Sequence, residues 1–372
     1  MPVSDDLYRL AVSMIPGFSA GLLLSLYEEG ISPEQLIECN NSELESLCEE
    51  SVSIPNHSIR LEAMQRAREE ERFISQHSIS VRFLGTSDYP LRLAQLPDAP
   101  LALFVYGDAD LDATRIVGLV GTRKCSRYGL SFCKTFVDEL AGVHKDCAII
   151  SGLAYGIDAA GHSAALENGM PTVAVMAHGL DMIYPAAHRQ LANKIVKSGG
   201  AIVTEYPSGT RPLKQRFLER NRIVAGLSDA IVVAESEIKG GAMSTANLAC
   251  QYDRTVFAVP GRCTDLSSSG CNRLIYLNKA LIYTGIKDFL SELGWQSKVP
   301  GPAVKTPVLF PELEGDCAKV FQLLSSEKRP MTLDEIHLIT GIPMSMLMSA
   351  ISELEFDGII SRLPGARFEC AT

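Results

Sequence analysis

The sequence predicts an α/β protein, a doubly wound and mostly parallel sheet with a small helical module on either side. Three observations carry this expectation. Six short β-branched apolar runs alternate with helix-like stretches from about Ile79 to Trp295, the residues before them show only helical periodicity, and residues 312–372 read as three helices and a hairpin. At 372 residues the chain is too long for one ordinary domain. The expected division is a helical domain at 1–72, a core at 73–296, a linker at 297–311 and a last domain at 312–372.

The runs of the core are Ile116 to Val120, Ala148 to Ile150, Thr172 to Met176, Ala201 to Thr204, Ala230 to Val233 and Thr255 to Val259. A parallel sheet covered on both faces needs strands that are apolar throughout, not alternating. Each run ends in a small or turn-forming residue and leads into a helical stretch, the pattern of βαβ units in a Rossmann-like sheet. Ligands of such sheets bind beyond the carboxyl ends of the strands, so those ends hold the candidate site.

From Leu7 to about Phe73 the apolar spacing is helical, and Ile15-Pro16-Gly17-Phe18 separates the first two helices. That arrangement resembles a helix-hairpin-helix or SAM-like unit, though the local charge favours an accessory domain over a DNA contact. Pro300, Gly301, Pro302, Pro307 and Pro311 mark the linker. Helices at Cys317 to Leu324, Thr332 to Thr340 and Ser345 to Asp357, then strands at Ile359 to Leu363 and Arg367 to Glu369, make a winged helix-turn-helix. Its third helix carries no Lys or Arg between Ser345 and Leu354, so packing or protein contact is expected of it before major-groove reading.

A net charge of −10 speaks against nucleic acid until it is partitioned. Residues 1–72 hold fourteen acids against five bases and residues 306–372 ten against five, which leaves 24 bases and 20 acids for 73–305. A polyanion therefore belongs to the middle. Ten cysteines without a CxxC pair fit buried thiols in a reducing compartment, and neither a metal nor a cofactor is expected. No apolar run is long enough to span a bilayer and no basic region precedes an apolar one at the start, so a cytoplasmic protein is expected.

Chemistry collects after the strands. Gly121-Thr122-Arg123 follows the first, with Ser126, Tyr128 and Gly129 ahead of a helix beginning near Leu130; glycine amides and a guanidinium there suit a phosphate, and a tight turn with a surface arginine is the plainer reading. Ser151-Gly152 repeats that logic after the second, with Asp158 placed to cap the next helix and His162 read as structural. Between Thr210 and Arg222 stand five basic residues and one acidic one, among them Lys214, Phe217, Arg220, Asn221 and Arg222. Cations neutralise phosphates, Asn bonds a base edge or sugar, and an aromatic face takes an unstacked base. An amphipathic helix with solvated cations explains that segment equally well on its own. Gly240-Gly241 opens a further helix where a backbone or ligand can approach closely.

In order, Tyr89-Pro90, Val120-Gly121-Thr122-Arg123, Ser151-Gly152, Gly156-Ile157-Asp158, His162, Tyr184-Pro185, Glu205-Tyr206-Pro207, Phe217, Arg220-Asn221-Arg222, Thr245-Ala246 and Val259-Pro260-Gly261 resemble the DNA-processing protein A (DprA/Smf) family. The resemblance implies a non-enzymatic Rossmann-like core that binds single-stranded DNA, commonly dimerises, and loads the RecA recombinase onto incoming strands during natural transformation. It carries Arg123, Lys214, Phe217, Arg220, Asn221 and the Ser151-Gly152 corner over as DNA contacts. Where many members read Ser-Gly-Ser-Leu-Ile-Thr-Ala, this chain reads Gly240-Gly241-Ala242-Met243-Ser244-Thr245-Ala246, with fewer hydroxyls for a phosphate.

Two other readings compete. The Rossmann-like superfamily resembles phosphoribohydrolases of the lysine-decarboxylase-like type, but Gly240-Gly241 lacks the preceding proline and trailing glutamate of their phosphate loop, leaving Glu205 or Glu235 as isolated candidate acids. A duplex-DNA regulator acting through the winged helix meets the objection of its acidic third helix.

Overall fold

Helices α1 (Asp5–Ser13), α2 (Ala20–Glu28), α3 (Pro33–Glu38), α4 (Asn41–Leu47) and α5 (His57–His77) open the chain. Three begin at serines: Ser4, Ser19 and Ser32 accept from the Leu7, Leu22 and Gln35 amides, and the Gln35 side chain returns to the Ser32 N–H. Gly17 turns the chain between the first two at φ +73°. The computed structural model describes residues 4–47, 54–296, 313, 315–327, 329–357, 359–363 and 365–370, so the linker expected at 297–311 lies outside the described residues. Met1–Tyr283 and Thr284–Thr372 form two compact units, and α5 continues through residue 72.

The first unit goes on through β1 (Ser80–Phe83), α6 (Leu91–Ala94), β2 (Ala102–Gly107), β3 (Ile116–Val120), α7 (Arg127–Val143), β4 (Ala148–Ser151), α8 (Ile157–Glu167), β5 (Thr172–Val175), α9 (Arg189–Lys197), β6 (Ala201–Thr204), α10 (Lys214–Leu227), β7 (Ala230–Val233), α11 (Gly241–Gln251), β8 (Thr255–Ala258), α12 (Ser269–Tyr276) and β9 (Leu281–Ile282). One sheet results, ordered β1-β2-β6-β5-β4-β3-β7-β8-β9 and parallel from β6 to β9. Every residue of β3 to β7 is buried, which is why those strands read as unbroken apolar runs. The antiparallel edge pair β1–β2 and the short β9 were not expected from sequence.

Gly118 pairs with Ile150 on one side and Ile231 on the other, so β3 is an interior strand flanked by β4 and β7. Helices α7, α8 and α9 carry the chain outward from β3 to β6, and α10 then brings it back to β7 across the opposite face, where it packs on α11. The winding direction reverses between β3 and β7. That reversal opens a crevice at the carboxyl ends of the strands. At their amino ends a buried ion pair fixes the same two strands: Arg92 reaches Asp229 at 2.8 and 3.0 Å, and Asp229 also accepts the Ile116 amide at 2.8 Å.

The second unit contains α13 (Ile286–Glu292), α14 (Gly315–Glu327), β10 (Met331–Thr332), α15 (Leu333–Thr340), α16 (Met344–Phe356), β11 (Ile360–Leu363) and β12 (Arg367–Cys370). From α14 onward it is a winged helix. Its sheet is ordered β10-β12-β11, and Val320, Leu324, Met331, Ile336, Leu347 and Phe368 fill its core. Thr332 and Glu335 form a capping box at α15, and α16 carries neither Lys nor Arg.

Candidate nucleic-acid interface

A cleft of about 860 Å³ occupies the crevice between the β3 and β7 ends. Ten residues named from sequence line it: Gly121, Thr122, Arg123, Gly152, Lys214, Phe217, Arg220, Asn221, Gly240 and Gly241. Two do not. Ser151 is fully buried and donates its hydroxyl to Leu119 O at 2.6 Å, and Arg222 is mostly buried against Glu205. Sequence reasoning passed over Lys124 and Lys239, which also line the cleft, and quoted Tyr184 with Pro185 as a motif without counting it as a site residue, although it lines the cleft too. Lys124 follows Arg123 and Lys239 precedes Gly240, so adjacency to named residues was the available signal. Arg123, Lys124, Lys214, Arg220 and Lys239 face only Asp158 and Glu237, which makes the lining a site for an anion.

Phe217 is the half-buried centre of this lining. The Arg123 and Arg220 guanidinium carbons lie 5.2 and 6.0 Å from its ring centre, and the Tyr184 ring lies at 5.8 Å, inclined by 55°. Arg123 is exposed, whereas Arg220 is 4 % exposed, donates to Val175 O and leaves its Nε without a partner. Burial pulls the Arg220 guanidinium down to about 10, with Asp158 opposing, so it stays charged at neutral pH. Asn221 points its amide nitrogen toward Gly241 O at 3.5 Å.

Two helices aim positive ends into the cleft without a cap. α10 starts with Lys214 and carries Arg216 but no acid in its first turn, and its N-cap Leu213 offers no side-chain bond. α11 starts after Gly240, also without a capping side chain or an acidic first turn. Cations at a helix N-terminus oppose the dipole, an arrangement that an anion relieves. Among the described hydrogen bonds none uses the Gly241 or Ala242 amide. Gly241 has nothing within 4 Å of the place a Cβ would take, so a ligand can approach there.

The other two glycine corners work differently from their expected anion logic. The Thr122 amide donates to Glu235 O at 2.7 Å, and the Gly152 and Ala154 amides donate to Asp158 at 3.2 and 3.3 Å. These amides are committed within the fold. A Cβ on Gly121 would meet Ile157 and Glu235 O, and one on Gly152 would meet the Arg220 guanidinium, so packing requires both glycines. Asp158 braces the preceding loop; the N-cap of α8 is Gly156, with no side-chain bond. α7 begins at Arg127, earlier than Leu130, because the Ser126 hydroxyl accepts from the Tyr128 and Gly129 amides.

The candidate acids and base are held within the fold, with Glu205 Oε1 and His162 Nε2 left without a hydrogen-bond partner among the described residues. Glu235 is buried and accepts from the Ser126 amide at 2.8 Å and its hydroxyl at 2.5 Å, while Glu205 is raised by burial and held by Arg222. His162 is fully buried with Nδ1 at 2.7 Å from Thr172 Oγ1, and burial lowers it to about 3. The loop joining β6 to α10 is fastened from α5: Glu70, 1 % exposed, accepts from the Ser208 amide at 2.9 Å and its hydroxyl at 2.6 Å, and Arg66 donates to Ser208 O.

A family model for DNA recombination-mediator protein A matches residues 80–294, and one for the DprA winged helix domain matches residues 305–366. This chain belongs to the DNA recombination-mediator protein A family. The DNA processing protein DprA of Streptococcus pneumoniae is 41 % identical over 204 residues, which are 55 % of this chain and 71 % of that protein. The X-ray structure of DprA from the same organism superposes with a TM-score of 0.62 at 32 % identity, over 78 % of this chain and 99 % of that one. A Helicobacter pylori DNA processing protein A structure, solved to describe its single-stranded DNA binding mode, superposes with a TM-score of 0.52 at 31 % identity, over 59 % and 97 %. DprA membership covers both compact units of the present chain. Among the described residues no helix is long and apolar enough to cross a membrane, and no three His, Cys, Asp or Glu side chains gather as a metal site.

Proposed function

We propose that the cleft at the β3/β7 crevice binds single-stranded DNA, and that through it this recombination mediator protects a strand in the cytoplasm and presents it to the RecA recombinase during DNA uptake. One observation carries the reading: Phe217 lies within cation–π reach of Arg123 and Arg220, in a cleft that adds Lys124, Lys214 and Lys239 and two uncapped helix N-termini. The cations take phosphates whatever the sequence, and the ring takes a base that only an unpaired strand can offer. Ser151 and Arg222 belong to the supporting frame in this reading. With neither Glu205 nor Glu235 in its lining, the cleft in this reading binds and does no chemistry, and a homodimer presents two such clefts.

The test is a salt titration of binding to fluorescent oligo-dT. Arg123→Ala and Lys214→Ala each weaken binding and flatten the salt slope by roughly one unit. Phe217→Ala lowers affinity by roughly 1–3 kcal/mol. Equal affinity for duplex and single strand, or an unchanged slope in both cation variants, would sink the proposal. Sedimentation gives the oligomeric state, and RecA filament assembly on coated oligonucleotides tests the delivery step.

A further inference from the structure

We propose a second base-stacking subsite beside the cleft, centred on Tyr155 and reached by the same strand across Arg123 and Lys124. The inference rests on the single-strand reading above. A shallow recess of about 740 Å³ adjoins the cleft, and Arg123 and Lys124 line both. Its other walls include Leu130, Tyr155, Gly156 and Ala159. The two recesses thus share a cationic wall. A polyanion leaving the first meets no acidic side chain in the lining of the second.

Tyr155 is presented there and is not a loose surface side chain. It stays 50 % exposed, although its ring meets His188 edge-on at a centroid distance of 4.8 Å. His188 is itself fixed, with Nδ1 at 2.8 Å from Leu153 O. The backbone beneath is fastened on both sides of the tyrosine. Asp158 holds the Gly152 and Ala154 amides, Leu153 is fully buried at φ +55°, and Gly156 turns at φ +79° where a Cβ would strike Thr122 O. Non-glycine residues at positive φ are uncommon and persist where the surroundings dictate them. A half-exposed ring on such a frame loses little freedom when a base lies on it.

The geometry assigns Phe217 and Tyr155 to different nucleotides of one strand, with Arg123 and Lys124 on the phosphates between. Affinity should therefore climb in two stages with oligonucleotide length. The experiment measures anisotropy of fluorescent oligo-dT from 2 to about 12 nucleotides with the full-length parent, Tyr155→Ala and Tyr155→Trp. In Tyr155→Ala the shortest bound oligonucleotide keeps parental affinity, while the gain on lengthening falls by about 5-fold or more. Tyr155→Trp restores the gain, and longer oligonucleotides quench its fluorescence while the shortest does not. Parental affinity of Tyr155→Ala at every length overturns the subsite but leaves the cleft reading intact. Failure of every length to bind the parent overturns the cleft reading first. An equal loss at all lengths makes Tyr155 a support of the first cleft and also overturns the proposal.

Discussion

Replacing Gly152 by alanine sets the cleft's packing against its stability. A Cβ at that position would lie 2.2 to 2.4 Å from Nη1, Cζ and Nη2 of Arg220, well inside the 3.0 Å that real Cβ atoms respect. Neither side can yield cheaply. Arg220 is 4 % exposed and held by Val175 O, and the loop carrying Gly152 is held by Asp158. Overpacking of this kind costs roughly 1–3 kcal/mol. Displacing the guanidinium also weakens its contact with Phe217, a further loss in the binding site of about 0.5–2 kcal/mol. Urea denaturation followed by circular dichroism should show a lower midpoint at unchanged slope, and oligo-dT anisotropy should show weaker binding. Gly241→Ala is the matched control, since its Cβ would meet nothing within 4 Å and its φ is not positive. It should leave stability unchanged or raise it by about 0.4–1 kcal/mol. A Gly152→Ala protein as stable as the parent, or a Gly241→Ala protein that loses as much, would refute the reasoning.

Two further outcomes are expected. Asp229→Ala strands the buried Arg92 guanidinium and the Ile116 amide, so urea denaturation should report a loss of about 3–5 kcal/mol with the cleft residues untouched. His162, with its folded value near 3 and its unfolded value near 6.5, contributes stability that is complete above pH 6.5 and is lost as pH falls toward 3. By pH 5 that amounts to about 2 kcal/mol. His162→Gln should therefore flatten the stability-versus-pH curve between pH 7 and 5, and an equally steep curve in the variant counts against the assignment.

Legibility in the sequence followed burial. Strands β3 to β8 could be read because a doubly covered sheet leaves them few polar positions, whereas β1 has one buried residue in four and gave no comparable signal. The cleft was legible as a set of residue types at strand ends, since the parallel topology brings those ends together whatever the intervening lengths. The uses of individual groups were hidden. Nothing near Thr122 indicates that its amide is taken by Glu235, more than a hundred positions away, or that Gly152 is needed because Arg220 lies over it. Arg222 sits in the same cationic run as Arg220, yet faces Glu205, because two residues along a helix point to different sides. The acidic opening helices looked unrelated to a polyanion site, and only the tertiary structure puts Glu70 on the loop that enters α10.

That last contact changes what a minimal DNA-binding fragment is. Cutting the chain at residue 73 would retain every residue lining the cleft and remove Glu70, leaving the Ser208 amide and hydroxyl to water. The strongly negative module at the start of the chain would then be missed for a mechanical reason and not for its charge: it is the splint on the segment from which Lys214 and Phe217 project.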